Sequence, residues 1–146
     1  VGKRGDKMLT GQYFHNLDAK GRVNFPAKLR EELGERFIIT RGLDNCLFVY
    51  SLKEWELLAD KMQLLPIAKS APLKRFFFAG AAEVEPDKQG RVVLPAHLRE
   101  YAGLDKDVTI AGVANRAEIW NPQRWEENNA ALTSDAIALA MDELGF

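Results

Sequence analysis

Short runs of aromatic and β-branched residues, each bounded by turn formers, read as strands around Tyr13 to His15, Val23 to Phe25, Phe37 to Thr40 and Cys46 to Tyr50. The same order returns at Phe76 to Val84, Val92 to Leu94, Val108 to Val113 and Ala117 to Trp120. In both series a proline, Pro26 or Pro95, follows the second strand, where its missing N–H costs nothing at a helix start. Gly34 or Gly103 then stops that helix. Each series therefore predicts ββαββ. After the first, Ser51 and Glu54 form a capping box, and Leu52, Trp55, Leu58, Met62 and Leu65 follow at near-helical spacing up to Pro66. After the second, Asn121 and Pro122 open the equivalent helix, and Ile137, Met141 and Leu144 mark a terminal one.

The two series are copies of each other. Asp18-Ala19-Lys20-Gly21-Arg22-Val23-Asn24-Phe25-Pro26-Ala27-Lys28-Leu29-Arg30-Glu31 recurs as Asp87-Lys88-Gln89-Gly90-Arg91-Val92-Val93-Leu94-Pro95-Ala96-His97-Leu98-Arg99-Glu100, identical at 9 of 14 positions at an offset of 69. With one residue inserted the match runs on, pairing Gly42 with Gly112, Asn45 with Asn115, Tyr50 with Trp120 and Trp55 with Trp125. The predicted organisation is a first repeat over 11–57, a linker over 66–75, a second repeat over 80–127 and a C-terminal helix over 133–146, with 1–7 a leader or added residues. A unit of about 45 residues is too small to bury a core comfortably by itself. The copies are therefore expected to pack as a pseudo-twofold pair with the aromatics between them, an α+β fold that is mostly β.

Composition narrows the class. The chain has 146 residues, 47% hydrophobic and 28% charged, with a single cysteine, so Cys46 has no partner for an intrachain bridge and reads as a small core residue of a reduced, cytoplasmic protein. No apolar run approaches the roughly 20 residues of a membrane span. The net charge of −1 conceals a gradient, with 17 Lys and Arg against 12 Asp and Glu in residues 1–99, and 3 against 9 in residues 100–146. A basic body and an acidic tail are compatible with nucleic-acid binding, because affinity follows the local patch that meets phosphate.

The repeated motif carries the candidate chemistry. Asp18 and Gly21, and again Asp87 and Gly90, are what a type I turn asks for: Asp accepts from nearby backbone and Gly takes a positive φ. Neither turn nor core needs the guanidinium of Arg22 or Arg91. Those arginines serve an intra-turn salt bridge to Asp, a contact to phosphate or a guanine edge, or both, with Asp orienting the arginine that a ligand then uses. Lys20, Lys28 and Arg30 make the first copy the more positive; Lys88 and Arg99 accompany the second. His15 and His97 fall at unequal places in the two copies and, with one cysteine, give no metal-ligand or catalytic spacing. No phosphate-loop or dinucleotide fingerprint and no hydrolase motif is present. An aspartic-protease-like dyad of Asp18 and Asp87 is disfavoured, since adjacent cations would keep both carboxylates ionised. Phe76-Phe77-Phe78 reads as core or interface, and Lys53 to Lys61 as the solvated face of a helix.

With Asp18-Ala19-Lys20-Gly21-Arg22 found again as Asp87-Lys88-Gln89-Gly90-Arg91, each before a proline-led helix, and with Trp55, Trp125 and Phe78-Ala79-Gly80-Ala81 in place, the chain resembles the bacterial MraZ family from Met8 to about Trp125. The resemblance implies tandem SpoVT-AbrB domains in a swapped-hairpin, double-split β-barrel that assembles into rings. It also implies a non-enzymatic transcriptional regulator, associated with the nucleoid, that binds short direct repeats of double-stranded DNA in its own promoter and represses the division and cell-wall genes downstream. Cofactors, metals and small-molecule substrates are not implied. The family's DNA-contacting arginines map onto Arg22 and Arg91, with Lys20 beside the first; Lys88 and Lys28 complete the expected DNA-binding set around the turn-forming Asp18, Gly21, Asp87 and Gly90. Asn24 departs from the pattern, standing where an apolar residue is usual after the Arg-Val pair. A non-catalytic protein-interaction or antitoxin-like module is the alternative. One bidentate arginine contact supplies only ~1–3 kcal/mol of base discrimination, so several linked turns are needed for selectivity.

Overall fold

In the computed structural model, which describes residues 8–146, both copies show the expected order of elements. The first contributes β1 (Gln12–Asn16), β2 (Arg22–Asn24), α1 (Ala27–Leu33), β3 (Phe37–Arg41) and β4 (Leu47–Ser51), followed by α2 (Leu52–Gln63) and α3 (Ile67–Phe77). The second contributes β5 (Ala82–Val84), β6 (Arg91–Val93), α4 (Ala96–Ala102), β7 (Asp107–Gly112) and β8 (Ala117–Trp120), followed by α5 (Pro122–Asn129) and α6 (Ser134–Glu143). The expectation for 1–7 lies outside the described residues.

Neither copy closes its own sheet. A six-stranded antiparallel sheet runs in the order β1-β7-β8-β4-β3-β5, so the first strand of each copy lies against the third strand of the other. The central pair, β4 and β8, joins the copies through Leu47 opposite Ile119 and Val49 opposite Ala117. The second strands, β2 and β6, leave this sheet and pair only with each other. Exchanging the copies leaves every one of these pairings unchanged, which is the pseudo-twofold symmetry that the duplication predicts.

Strand alternation sorts the side chains. Val23, Phe25, Val92 and Leu94 from the two-stranded ribbon meet Phe37, Ile39, Leu47, Val49, Ile110, Ala117 and Ile119 from the sheet in one core supplied by both copies. Leu29, Leu33, Leu98 and Ala102 seal it from the two short helices. The aromatics lie between the copies, as expected, but mostly outside this core. Phe25 and Phe37 pack within it at 5.1 Å between ring centroids, whereas Phe48, Tyr50 and Trp120 form a second cluster with Trp55, Phe77 and Trp125. Successive residues of a strand face opposite sides, so Leu47 and Val49 turn to the shared core while Phe48 and Tyr50 turn to the face covered by α2, α3 and α5. Branched aliphatics suit the close approach of ribbon to sheet, and bulky rings suit the wider gap under helices.

One expectation is corrected between the copies, the strand over 76–84. The stretch read as linker and then as strand, 66–75 and 76–84, is the helix α3 up to Phe77, and only Ala82–Val84 is strand. Three consecutive phenylalanines have three different partners: Phe76 lies against Tyr101, Phe77 stacks on Phe48 and Phe78 packs on Trp55 at 4.3 Å. The ~100° step of a helix distributes neighbours in this way, and the alternation of a strand does not. Pro72 lies on an exposed part of α3, where an interior proline costs ~3 kcal/mol.

The second copy lacks this closure. Thr40 donates its hydroxyl to the Phe77 carbonyl at the end of α3, but the equivalent Thr109 is buried with no partner for its hydroxyl among the described residues. The helix equivalent to α3 is α6, which has no buried residue.

Cys46 is fully buried on the aromatic side, with its thiol donating to the Leu43 carbonyl at 3.2 Å. Burial, followed by the negative charge of Glu118, pushes its pKa up to about 12. The native thiol is therefore expected to resist iodoacetamide at neutral pH and to react fully once urea unfolds the chain, because only the thiolate is nucleophilic. Rapid native labelling, followed by mass spectrometry, would show that β4 opens locally.

Candidate nucleic-acid interface

The repeated Asp-x-x-Gly-Arg forms the same loop twice. Asp18 N–H donates to the Arg22 carbonyl at 2.9 Å and Gly21 N–H to the Asp18 carbonyl at 3.0 Å; Asp87, Gly90 and Arg91 repeat this at 2.9 and 2.9 Å. The Asp18 carboxylate accepts from the backbone N–H groups of Lys20 and Arg22, both at 2.9 Å, and from Arg22 Nε at 2.7 Å. Asp87 does the same with Gln89, Arg91 and Arg91 Nε, all at 2.9 Å. Both readings of the arginine are thus compatible. Asp holds each guanidinium by Nε, and the terminal Nη fork remains beyond it, with side-chain exposures of 28% for Arg22 and 30% for Arg91.

The two loops lock across the pseudo-twofold. Phe25 N–H donates to the Gly90 carbonyl and Leu94 N–H to the Gly21 carbonyl, both at 2.9 Å. Arg30 Nε binds the Phe25 carbonyl and Arg99 Nε the Leu94 carbonyl, again both at 2.9 Å. Each of these arginines lies over the glycine of the other copy's loop: a Cβ at Gly90 would fall 2.8 Å from Arg30 Nη2, and one at Gly21 would fall 3.1 Å from the Arg99 guanidinium. The φ of +78° and +82° favours glycine at both positions, and a Cβ there would also push the arginine aside. Arg30 and Arg99 are the residues whose roles the sequence concealed. They were legible only as added charge, although the repeated Leu-Arg-Glu was the available signal.

On the ribbon, Arg22 stands opposite Val93 and Asn24 opposite Arg91. These four share the outward face, since Val23 and Val92 between them are buried. Asn24, the departure from the family pattern, is exposed, as is Val93 at its symmetry-related position, so strand burial is undisturbed. Lys20 and Lys88 are exposed on the loops. Lys28 is exposed on α1 and borders a cleft with Met8, Thr10, Glu31 and Glu32; no hydrogen bond or ion pair joins it to either loop among the described residues.

Backbone N–H donation from Arg22 to Asp18, and from Arg91 to Asp87, holds both carboxyls below the ordinary value of 3.8. A dyad that shares a proton needs one of its carboxyls raised, and neither is. His15 and His97 join no metal-binding group among the described residues.

Comparison with known proteins accords with this geometry. The family described as "MraZ protein, putative antitoxin-like" matches twice in tandem, over residues 8–73 and 77–142. This chain belongs to that family. A relative named "Transcriptional regulator MraZ" from Caldicellulosiruptor bescii is 56% identical over 143 residues, covering 95% of this chain and 100% of the relative. Relatives of the same name from Thermoanaerobacter sp. and Caldanaerobacter subterraneus subsp. tengcongensis are 55% identical over 143 residues (95% of this chain, 100% of the relative) and 57% over 122 (82% and 85%). No described helix is long and apolar enough to cross a membrane.

The depressed carboxyls predict an acid limb. A folded-state pKa below the unfolded value gives a contribution that is complete above pH 3.8 and is lost as pH falls below 3.8 through the depressed value. In urea unfolding across that range, the native chain is expected to lose its advantage over Asp18→Asn as pH falls. A stability gap that persists at the acid end would mean the Asp18 charge is not what closes the loop.

Proposed function

We propose that the chain is a sequence-specific DNA-binding transcriptional regulator, acting in the cytoplasm on the nucleoid and without catalysis. The observation that carries this reading is the pair of loops in which Asp18 and Asp87 hold Arg22 and Arg91 by Nε, leaving two pre-set guanidinium forks at the ends of one ribbon. An immobilised planar fork suits phosphate and the guanine O6/N7 edge, and the major groove admits a two-stranded ribbon. The name carried by the relatives points the same way. Arg22 and Arg91 are assigned to specific recognition, and Lys20, Lys88 and Lys28 to phosphate, with Asp18, Gly21, Asp87 and Gly90 shaping the loops. The exchange of β1 and β5 between copies supports reading the fold as the swapped-hairpin, double-split barrel of AbrB-like proteins.

One ribbon supplies too few contacts for a selective regulator, so we assign the working form to a homo-oligomer, a ring, engaging short direct repeats in its own promoter and the division and cell-wall genes downstream. The apolar side chains exposed along α6, among them Ile137, Leu139 and Met141, support a neighbour on that helix. The same exposed helix favours a second reading, an antitoxin-like module that binds a protein.

A mobility shift at two salt concentrations tests the proposal, with DNA from upstream of the gene against scrambled DNA of equal length. The expected complex survives competitor on the native fragment only and weakens steeply with salt. Arg22→Ala is expected to abolish the preference, whereas Lys20→Ala lowers affinity on all sequences alike and reduces the salt slope by roughly one. A folded protein without preference at either salt would move the weight to the protein-binding reading.

A further inference from the structure

The pseudo-twofold relates β2 to β6, and the outward face of the ribbon obeys it at one pair of positions and breaks it at the other. Arg22 and Arg91 are the same residue at equivalent places; Asn24 and Val93 are not. We propose that Asn24 and Val93 read base pairs and fix the direction in which the ribbon lies on DNA. This rests on the DNA-binding reading above and deepens it.

Asn24 is exposed, and its side-chain amide has no hydrogen-bond partner among the described residues. Asparagine is a poor strand residue, and Val93 at the equivalent place is what β propensity favours, so the fold gives no reason for the amide. An unengaged carboxamide offers one acceptor and two donors, the set that pairs bidentately with adenine N7 and N6. Val93 is 54% exposed between the buried Val92 and Leu94, and its methyls are suited to the thymine methyl.

Spacing agrees with this division. Two residues along a strand advance about 6.6 Å, so Asn24 and Arg22, on one face of β2, can reach separate base pairs along a groove. The Nε bond to Asp18 fixes Arg22, which makes it a constant reference for the neighbouring contact.

Symmetry supplies the consequence. A ribbon with identical outward residues on both strands is unchanged by a half-turn and binds a site equally well in either direction. With Asn24 at one corner and Val93 at the other, the half-turn exchanges an amide for an isopropyl group. One direction then pairs the amide with adenine, and the other leaves a polar base edge against methyls. The contact difference favours one polarity, and it adds to the asymmetry that the flanking loops already carry, where Lys20 stands at the place of Gln89.

The test takes the full chain and a library of random duplex DNA, selects bound sites, and then measures competition with every single base-pair substitution of the selected site. The wild type is expected to discriminate at one A·T pair by between about 5- and 150-fold, the worth of one bidentate contact. Asn24→Val should lose discrimination at that pair while keeping the Arg22-dependent preference. Val93→Asn should add an adenine preference at the symmetry-related position, and the double exchange N24V/V93N should move the preference there altogether. A merely structural role for Asn24 cannot relocate a base preference. Unfolding midpoints matched to wild type confirm that the variants fold. A selective wild type with an unchanged substitution profile in Asn24→Val and in the double exchange overturns this inference and leaves the regulator reading intact. A wild type that selects no sequence overturns both.

Discussion

The reciprocal bond between the motif loops is the constraint on which the rest depends. Phe25 N–H can reach the Gly90 carbonyl, and Leu94 N–H the Gly21 carbonyl, only if the two second strands lie side by side. That pairing takes β2 and β6 out of the main sheet. Each first strand is then left to pair across the dyad with the other copy's third strand. The exchanged sheet, the shared core and the two neighbouring arginine loops all follow from one antiparallel contact. Arg30 and Arg99 reinforce it by binding the carbonyl at the end of one copy's strand while lying over the glycine of the other's loop. Such cross-copy bonds also explain why a unit too small for its own core is stable here: neither half has a complete hydrogen-bond set without the other.

Local signals in the sequence were legible because they act locally. The Asp-x-x-Gly turn, the proline-led helix, the Ser51 cap and the Asn121 cap each depend on atoms within a few residues, and each is found. The duplication carried more, since an internal repeat predicts a dyad without any knowledge of contacts. Exchange of strands between the copies was not readable from the spacing of residues, because the same alternation fits pairing within a copy or between copies. Phe76-Phe77-Phe78 misled for a related reason. Three adjacent aromatics score as strand by propensity, and only their separate partners on Tyr101, Phe48 and Trp55 make them a helix end.

The candidate site was half legible. Arg22 and Arg91 stood out because nothing in the turn required them, whereas Arg30 and Arg99 looked like ordinary charges on a helix. Their guanidiniums matter through a contact 60 or more positions away, with Gly90 for the first and Gly21 for the second. Positive φ is by itself a sufficient local reason for glycine at those loop positions, so the residue pattern does not reveal that a distant arginine lies over each of them. Where one residue type satisfies two constraints, sequence alone reveals the nearer.

Net charge illustrates the same separation of scales. An overall charge of −1 describes the chain, but within each motif loop one carboxylate is set against one guanidinium. Asp18 and Asp87 are bonded to the Nε of their arginine and to backbone N–H groups, which restricts where each guanidinium can lie. A free arginine side chain carries about 2 kcal/mol of rotamer entropy, much of which it loses on forming a bidentate contact. Holding the side chain by one nitrogen before any ligand arrives meets part of that cost during folding, so a carboxylate beside a cation strengthens anion recognition by restricting the cation's motion. On the DNA-binding reading proposed above, Asp and Arg act as one unit, and both copies of the motif carry the pair.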